Sequence, residues 1–265
     1  MSERGQHVRF GLGLVSLGRV WGYRPSPLPS LEEAKALLSF AVALGVTVFD
    51  TAPAYGSSER LTGEFFRCLG SHQRQCLTLA TKCGEHWDET TRSTWVDHSE
   101  AVLRDSVTRS LDLLGRIDVL QIHKTTPDVL RDPGVWRVLE KARAGGVAQI
   151  GASISDSESG RLACEIDIID VIQMPYNSRF RNLAPLFDLA SERNKQVWTN
   201  RPFASGANIH EDAMMPRDAY RFVLDQPFAG SILTGTVIPE HLREDWNAFE
   251  EARELPCKAG SEHLK

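Results

Sequence analysis

Four side chains in this sequence can hold a charge and move a proton: Asp50, Tyr55, Lys82 and His123. Asp50 closes the apolar run of "VFDTAPAYGSSE" (48–59), and Tyr55 follows in a loop of Pro, Ala and Gly. Lys82 ends the run "CLTLATK" and His123 ends "DVLQIH". Each alone has an ordinary explanation: a lysine snorkelling to water, a histidine satisfied structurally, a tyrosine anchoring a loop. Together they make a coherent acid/base set. A phenol with a pKa near 10 is a poor proton donor or acceptor at neutral pH. An ammonium beside its oxygen stabilises the phenolate and lowers that value. A carboxylate paired with the ammonium keeps it charged and in place, and a neighbouring histidine can orient a carbonyl and share the proton. Such a set protonates the oxygen of a C=O while hydride reaches its carbon, and the hydride must come from a cofactor.

What brings the four together is a repeated alternation of short apolar runs with amphipathic segments. Eight strands are expected, at 10–17, 46–52, 76–83, 118–124, 148–154, 171–177, 196–203 and 230–235. Each is followed by a helix, at 30–45, 58–69, 99–115, 134–146, 156–164, 183–194, about 217–226 and 239–254. Ser30 caps the first helix and Gly45 ends it. Leu103, Val107, Leu111 and Leu114 form one apolar face of the third. Strands buried on both faces and joined by helices form a parallel sheet. Eight such units in 265 residues predict one closed (β/α)8 barrel across the whole chain; an open doubly wound sheet is the alternative. In a barrel the strand ends share one rim, and Asp50, Lys82 and His123 stand at the ends of three consecutive strands. The tail from about 256 is polar and expected to be loose.

Composition removes other classes. A net charge of −5 and pI near 5.9 argue against nucleic acid, which wants basic stripes with aromatics between them. No apolar run reaches the roughly 18 residues needed to span a membrane, and the start "MSERGQHVRF" lacks the apolar core of a secretory signal. Cys68, Cys76, Cys83, Cys164 and Cys257 form no CxxC pair and read as reduced thiols of a cytoplasmic protein, with no metal site. "GLGLVSLG" (11–18) has Ser16 where a dinucleotide fingerprint needs its third glycine, and the Gly- and Pro-rich "RVWGYRPSPLP" that follows is not a helix. It reads as a tightly packed first strand.

The motifs "FDTAPAYGSSE", "TLATKCG", "IDVLQIHK", "AQIGAS", "DVIQMPYN" and "GTVIPEHLRED", in this order, resemble the successive signatures of the aldo-keto reductase family. The resemblance covers nearly the whole chain. It implies a (β/α)8 barrel, a nicotinamide cofactor bound without a Rossmann fold, usually NADPH with NADH possible, and the tetrad Asp50, Tyr55, Lys82 and His123 with Tyr55 as acid/base. It further implies that Ser153 and Gln173 hold the nicotinamide carboxamide, that Gly235 and Thr236 approach the phosphates, and that Glu244 contacts adenine. The sequence departs from the pattern at several points. Ile154 stands where an Asn is common, and Asn200 where an aromatic ring often covers the nicotinamide, leaving Arg201 or Trp198 to do so. The usual 2′-phosphate cation falls at His241 and the usual adenine Asn at Asp245, with Arg243 as the compensating cation. Glu240, Glu244 and Asp245 oppose a phosphate there, so a small advantage of NADPH over NADH is expected.

The substrate is expected to be a small carbonyl compound or alcohol, with Trp21, Trp87 and Tyr176 as pocket walls or as packing under loops. Shortened loops predict an open pocket. A monomer is expected, since no coiled-coil seam stands out. Two other readings remain at this point: a nucleotide-sensing barrel without catalysis, and a lyase or epimerase using Tyr55 and Lys82 for proton transfer alone.

Overall fold

The structure is a computed structural model that describes residues 8–255, so the expectations for the N-terminal start and for the tail from 256 lie outside the described residues. Ten strands follow in chain order: β1 (Val8–Gly13), β2 (Val48–Asp50), β3 (Thr78–Cys83), β4 (Glu85–Asp88), β5 (Ser93–Val96), β6 (Val119–Ile122), β7 (Gln149–Ser153), β8 (Val171–Pro175), β9 (Gln196–Asn200) and β10 (Gly230–Thr234). Eight of them close a barrel in the order β1-β10-β9-β8-β7-β6-β3-β2. All eight pairings are parallel, and β1 shuts the ring on β10 from Val8↔Gly230 to Leu12↔Thr234. The closed ring excludes the open sheet.

Two apolar layers hold it. Val48, Ala80, Val119, Val171, Trp198 and Leu233 fill the lumen. Gly11 leaves room in this layer: a Cβ there would lie 2.5 Å from Leu233 Cδ2 and 3.3 Å from Val48 Cγ1. That packing requirement accounts for the glycine of "GLGLVSLG". The larger layer lies between strands and helices. The helix Leu31–Leu44 shows how it is built. Ser30 and Glu33 form a reciprocal capping box, Gly45 ends the helix at φ 100°, and Ala34, Leu37, Leu38 and Ala41 face inward. Truncating a buried leucine such as Leu38 to alanine costs about 2–5 kcal/mol.

Three local features differ from the sequence expectation. β1 stops at Gly13, and Val15–Gly18 forms a short helix instead of continuing the strand. β4 and β5 form an antiparallel hairpin after β3, where only a loop was expected. The loop after β9 (short helical turns at Ala204–Gly206 and Ala207–His210) meets the loop after β1. The Tyr23 N–H donates to Ser205 O at 3.0 Å and the Tyr23 ring stacks on His210 at 5.1 Å. These loops therefore bridge part of the mouth that the sequence predicted to be open. Among the described residues no helix is long and apolar enough to cross a membrane.

Candidate active site

Because all eight barrel strands run the same way, their C-terminal ends share one rim, and the four acid/base side chains meet there. Asp50 is the last residue of β2, Lys82 lies one residue before the end of β3, and His123 follows β6 directly. Tyr55 is delivered by the short helical turn Pro53–Tyr55. Two glycines set that turn against the loop after β1. A Cβ on Gly18 would fall 1.9 Å from Tyr55 O, and one on Gly56, which sits at φ 58°, would fall 2.2 Å from Gly18 O. The backbones touch only because neither residue has a side chain. Ser58 adds a tie, donating to Leu14 O at 2.9 Å and lying 2.8 Å from Thr51 Oγ1.

The Lys82 side chain is 0% exposed and uses all three of its donors. Nζ donates to Asp50 Oδ2 at 2.6 Å, to Thr51 O at 3.0 Å and to Tyr55 Oη at 3.2 Å. Since Tyr55 Oη accepts from the ammonium, its own hydrogen is left to point elsewhere. Gln121, fully buried, donates from Nε2 to Asp50 Oδ1 at 3.0 Å, so both oxygens of Asp50 are occupied. Burial alone would pull the Lys82 ammonium down, but Asp50 and Tyr55 outweigh it and hold the group above its ordinary value. The phenol behaves differently from the sequence argument. Burial pushes Tyr55 above its usual pKa, and the attraction of Lys82 offsets only part of that rise. The resting site therefore holds a protonated phenol beside a charged lysine.

His123 meets the Tyr55 ring edge-on, with centroids 6.0 Å apart. Burial, then the positive charges of Lys82 and Lys124, hold the imidazole well below its ordinary pKa. Its Nδ1 lies 3.1 Å from Glu85 Oε2 but is not aligned with it as a hydrogen bond. With the ring neutral, this is a short polar contact, not an ion pair. Lys124 Nζ lies 3.8 Å from the other oxygen of Glu85.

Above the tetrad opens a cavity of about 810 Å³, within the range of small-molecule and cofactor sites. Asp50, Tyr55 and His123 line its floor, with Lys82 buried beneath. Ser153, Gln173 and Arg201 line one wall; Gly235, Thr236, His241 and Glu244 line its extension toward the last helix (Pro239–Glu254). Trp21, 42% exposed, stands at the rim. Gln173 Nε2 and Asn200 Oδ1 are buried without hydrogen-bond partners among the described residues. Both line the cavity, from the adjacent strands β8 and β9.

Four expectations need correction. Tyr176 is 3% exposed and packs on Phe187 and Phe222 at 4.8 and 5.4 Å, in the layer between barrel and helices and away from the cavity. Trp87 does not line the cavity either; it supports the wall from behind, with the Arg19 guanidinium 4.7 Å from its ring. Trp198 fills the lumen, fully buried, so it covers no cofactor ring. Arg243 turns outward onto Phe40, 5.0 Å from its ring, while His241, Glu244 and Asp245 present to the cavity. Residues i, i+3 and i+4 of a helix share a face and i+2 does not, so positions 241, 244 and 245 leave Arg243 on another side.

Sequence reasoning also missed three residues. Gln121 stands two positions before His123, the period that places both on one side of a strand, and that spacing was a usable signal. Glu85 opens the short strand β4 and Arg19 lies in the loop after β1, and no periodicity marks either. Asp245, beside Glu244, is pushed up to about 7, by burial first and by Glu244 second. Among the described residues no group of His, Cys, Asp and Glu is arranged to hold a metal ion.

The chain and its fold have relatives. The chain is 26% identical to the uncharacterised oxidoreductase YqkF of Bacillus subtilis, covering 96% of this chain and 92% of that one. It is 30% identical to the aldo-keto reductase YhdN of the same organism over 64% of this chain, which spans 50% of that protein. The holo form of an aldo-keto reductase from Bacillus halodurans superposes with a TM-score of 0.77 over 93% of this chain and 90% of that one, at 21% identity, a likeness of fold. The sequence profile described as "Aldo/keto reductase family" matches residues 9–217, and the chain belongs to that family.

Proposed function

We propose that the protein is a nicotinamide-dependent oxidoreductase that reduces an aldehyde, ketone or sugar carbonyl to the alcohol, or runs the reverse, with Tyr55 as the acid/base. The observation that carries this reading is the triple donation of the Lys82 ammonium to Asp50, Thr51 O and Tyr55 Oη under the cavity floor. It fixes the phenol oxygen, frees the phenol hydrogen for a substrate oxygen, and stabilises the phenolate that remains. Neutral His123 orients the carbonyl from the other side. A carbonyl, a reduced nicotinamide and a proton give an alcohol and the oxidised nicotinamide; the cofactor supplies the hydride when bound.

The residues present fit a nicotinamide. Its carboxamide offers one acceptor and one donor group, and Gln173 Nε2 and Asn200 Oδ1 are a donor and an acceptor without partners among the described residues, on adjacent strands of the wall. Ser153 stands on the neighbouring strand β7 and completes the cradle. Gly235, whose absent Cβ would lie 3.0 Å from Gly13 O, and Thr236 leave backbone close to the diphosphate. At the far end, a 2′-phosphate would meet His241 against Glu244 and Asp245, with Arg243 turned away. NADH is therefore bound at least as well as NADPH.

The test is a titration of purified protein with each dinucleotide, followed by tryptophan fluorescence and by turnover of a panel of aldehydes. Binding of both, with NADH equal or tighter, and reduction of at least one aldehyde is the expected result. Failure to bind either dinucleotide overturns the reading.

A further inference from the structure

Arg19 lies beside the reacting groups, and the proposed chemistry has not used it. It follows the short helix Val15–Gly18, is half-buried and lines the cavity. Its guanidinium sits 4.7 Å from the ring of Trp87 and 5.4 Å from that of Trp21. Nη1 donates to Ala54 O at 3.1 Å, one residue before Tyr55. Two indole rings and a backbone carbonyl thus fix the group before any ligand arrives. The opposite edge, Nε with Nη2, has no partner among the described residues, and this is the edge that grips a carboxylate with two parallel bonds.

The local charges sharpen the point. Around this part of the rim Lys82 is matched by Asp50 at 2.6 Å and Lys124 by Glu85 at 3.8 Å. Arg19 forms no ion pair among the described residues, whereas surface arginines such as Arg137, Arg179 and Arg193 each have a carboxylate within 3 Å. In a chain of net charge −5, acids are not scarce; this cation has been left free. Its contacts run to Trp21 in its own loop, to Ala54 after β2 and to Trp87 on β4; Trp21 in turn has the Arg201 guanidinium 5.9 Å from its ring.

We propose that Arg19 binds a carboxylate of the substrate, so that the enzyme prefers carbonyl compounds bearing an acid group, such as aldehyde acids or oxo acids, over neutral ones. This rests on the carbonyl-reducing reading above and adds the substrate class to it.

The experiment compares 3- and 4-carboxybenzaldehyde, each against its methyl ester, with wild type, Arg19→Gln and Arg19→Lys at low ionic strength. One charge-assisted pair predicts an acid-to-ester ratio in kcat/KM of about tenfold to hundredfold in the wild type, carried in KM. The ratio falls to near one in Arg19→Gln and is partly kept in Arg19→Lys. Should Arg19→Gln fail to fold, the wild-type ratio decides the matter, together with its fall as salt is added. Equal turnover of acid and ester by the wild type overturns the assignment while leaving carbonyl reduction intact. A loss of NADH affinity in Arg19→Gln as large as the loss on the acids overturns it too, since the arginine would then serve the diphosphate. Reduction of none of the four compounds overturns the underlying reading and this assignment with it.

Discussion

Replacing Lys82 with methionine removes the charge on which the tetrad turns while keeping most of the side chain's volume. Asp50 is 3% exposed, and it would keep only the Gln121 amide as a donor. Removing one partner of a buried pair destabilises by about 3–5 kcal/mol, because the other charge is left uncompensated. For a chain of this length each kcal/mol shifts Tm by about 2–4 °C, so Lys82→Met should lower Tm by about 6–20 °C. Turnover should fall by the roughly 10²–10⁴-fold expected for loss of general acid/base catalysis, since Tyr55 loses the donor that positions it at 3.2 Å. The double variant Asp50→Asn, Lys82→Met separates the two effects. With neither charge of the pair left, most of the lost stability should return, and the strong coupling should appear in the double-mutant cycle. Activity should not return. Thermal denaturation and steady-state turnover on Lys82→Met, Asp50→Asn and the double variant make the measurement. A single variant within about 1 kcal/mol of wild type, well below the buried-pair range, would refute the reasoning, as would a double variant no more stable than Lys82→Met.

Gly18→Ala would place a Cβ 1.9 Å from Tyr55 O; a displacement of about 1 Å costs roughly 10²-fold in rate, so kcat should drop while far-UV circular dichroism stays unchanged. Asp245, lifted from its ordinary value to about 7, takes up a proton more readily folded than unfolded, so stability falls as pH rises from about 4 to 7. Asp245→Asn should remove that slope and gain up to about 4 kcal/mol at pH 8 with almost no gain at pH 4, measured by urea unfolding at the two pH values. Arg243→Ala should leave the NADPH-to-NADH affinity ratio unchanged, whereas His241→Arg should raise it about tenfold to hundredfold; a fall of the ratio in Arg243→Ala would place the 2′-phosphate on Arg243 and refute this assignment.

The barrel was legible because eight apolar runs alternate with amphipathic segments, a pattern that survives uncertainty of a few residues at each end. The tetrad was legible because three of its members close consecutive strands. The β4–β5 hairpin was not. "EHWDETTRSTWV" is too polar to read as a strand pair, and what holds it is a cross-strand stack of His86 on Trp95 at 4.2 Å, visible only in three dimensions. Burial outweighs charge at Tyr55, so reasoning from its lysine neighbour alone gave the wrong direction for the phenol. Tyr176 and Trp87 were misplaced because an aromatic residue near a strand end can face either the cavity or the helical layer. Arg243, in contrast, was readable: helical phase separates it from positions 241, 244 and 245. Arg19 had no signal, since its position depends on two tryptophans and a carbonyl contributed by the segments that follow β1, β2 and β3.

The central claim is that the Tyr55 hydroxyl, held by Lys82, gives its proton to the substrate oxygen. The direct measurement is Tyr55→Phe, with turnover and dinucleotide affinity determined on the same preparation. The account predicts a rate loss of about 10²–10⁴-fold with affinity for NADH nearly unchanged, because only one oxygen and its hydrogen are removed from the cavity floor. Retention of more than about a tenth of wild-type turnover, outside that range, would contradict it and assign the proton to another group.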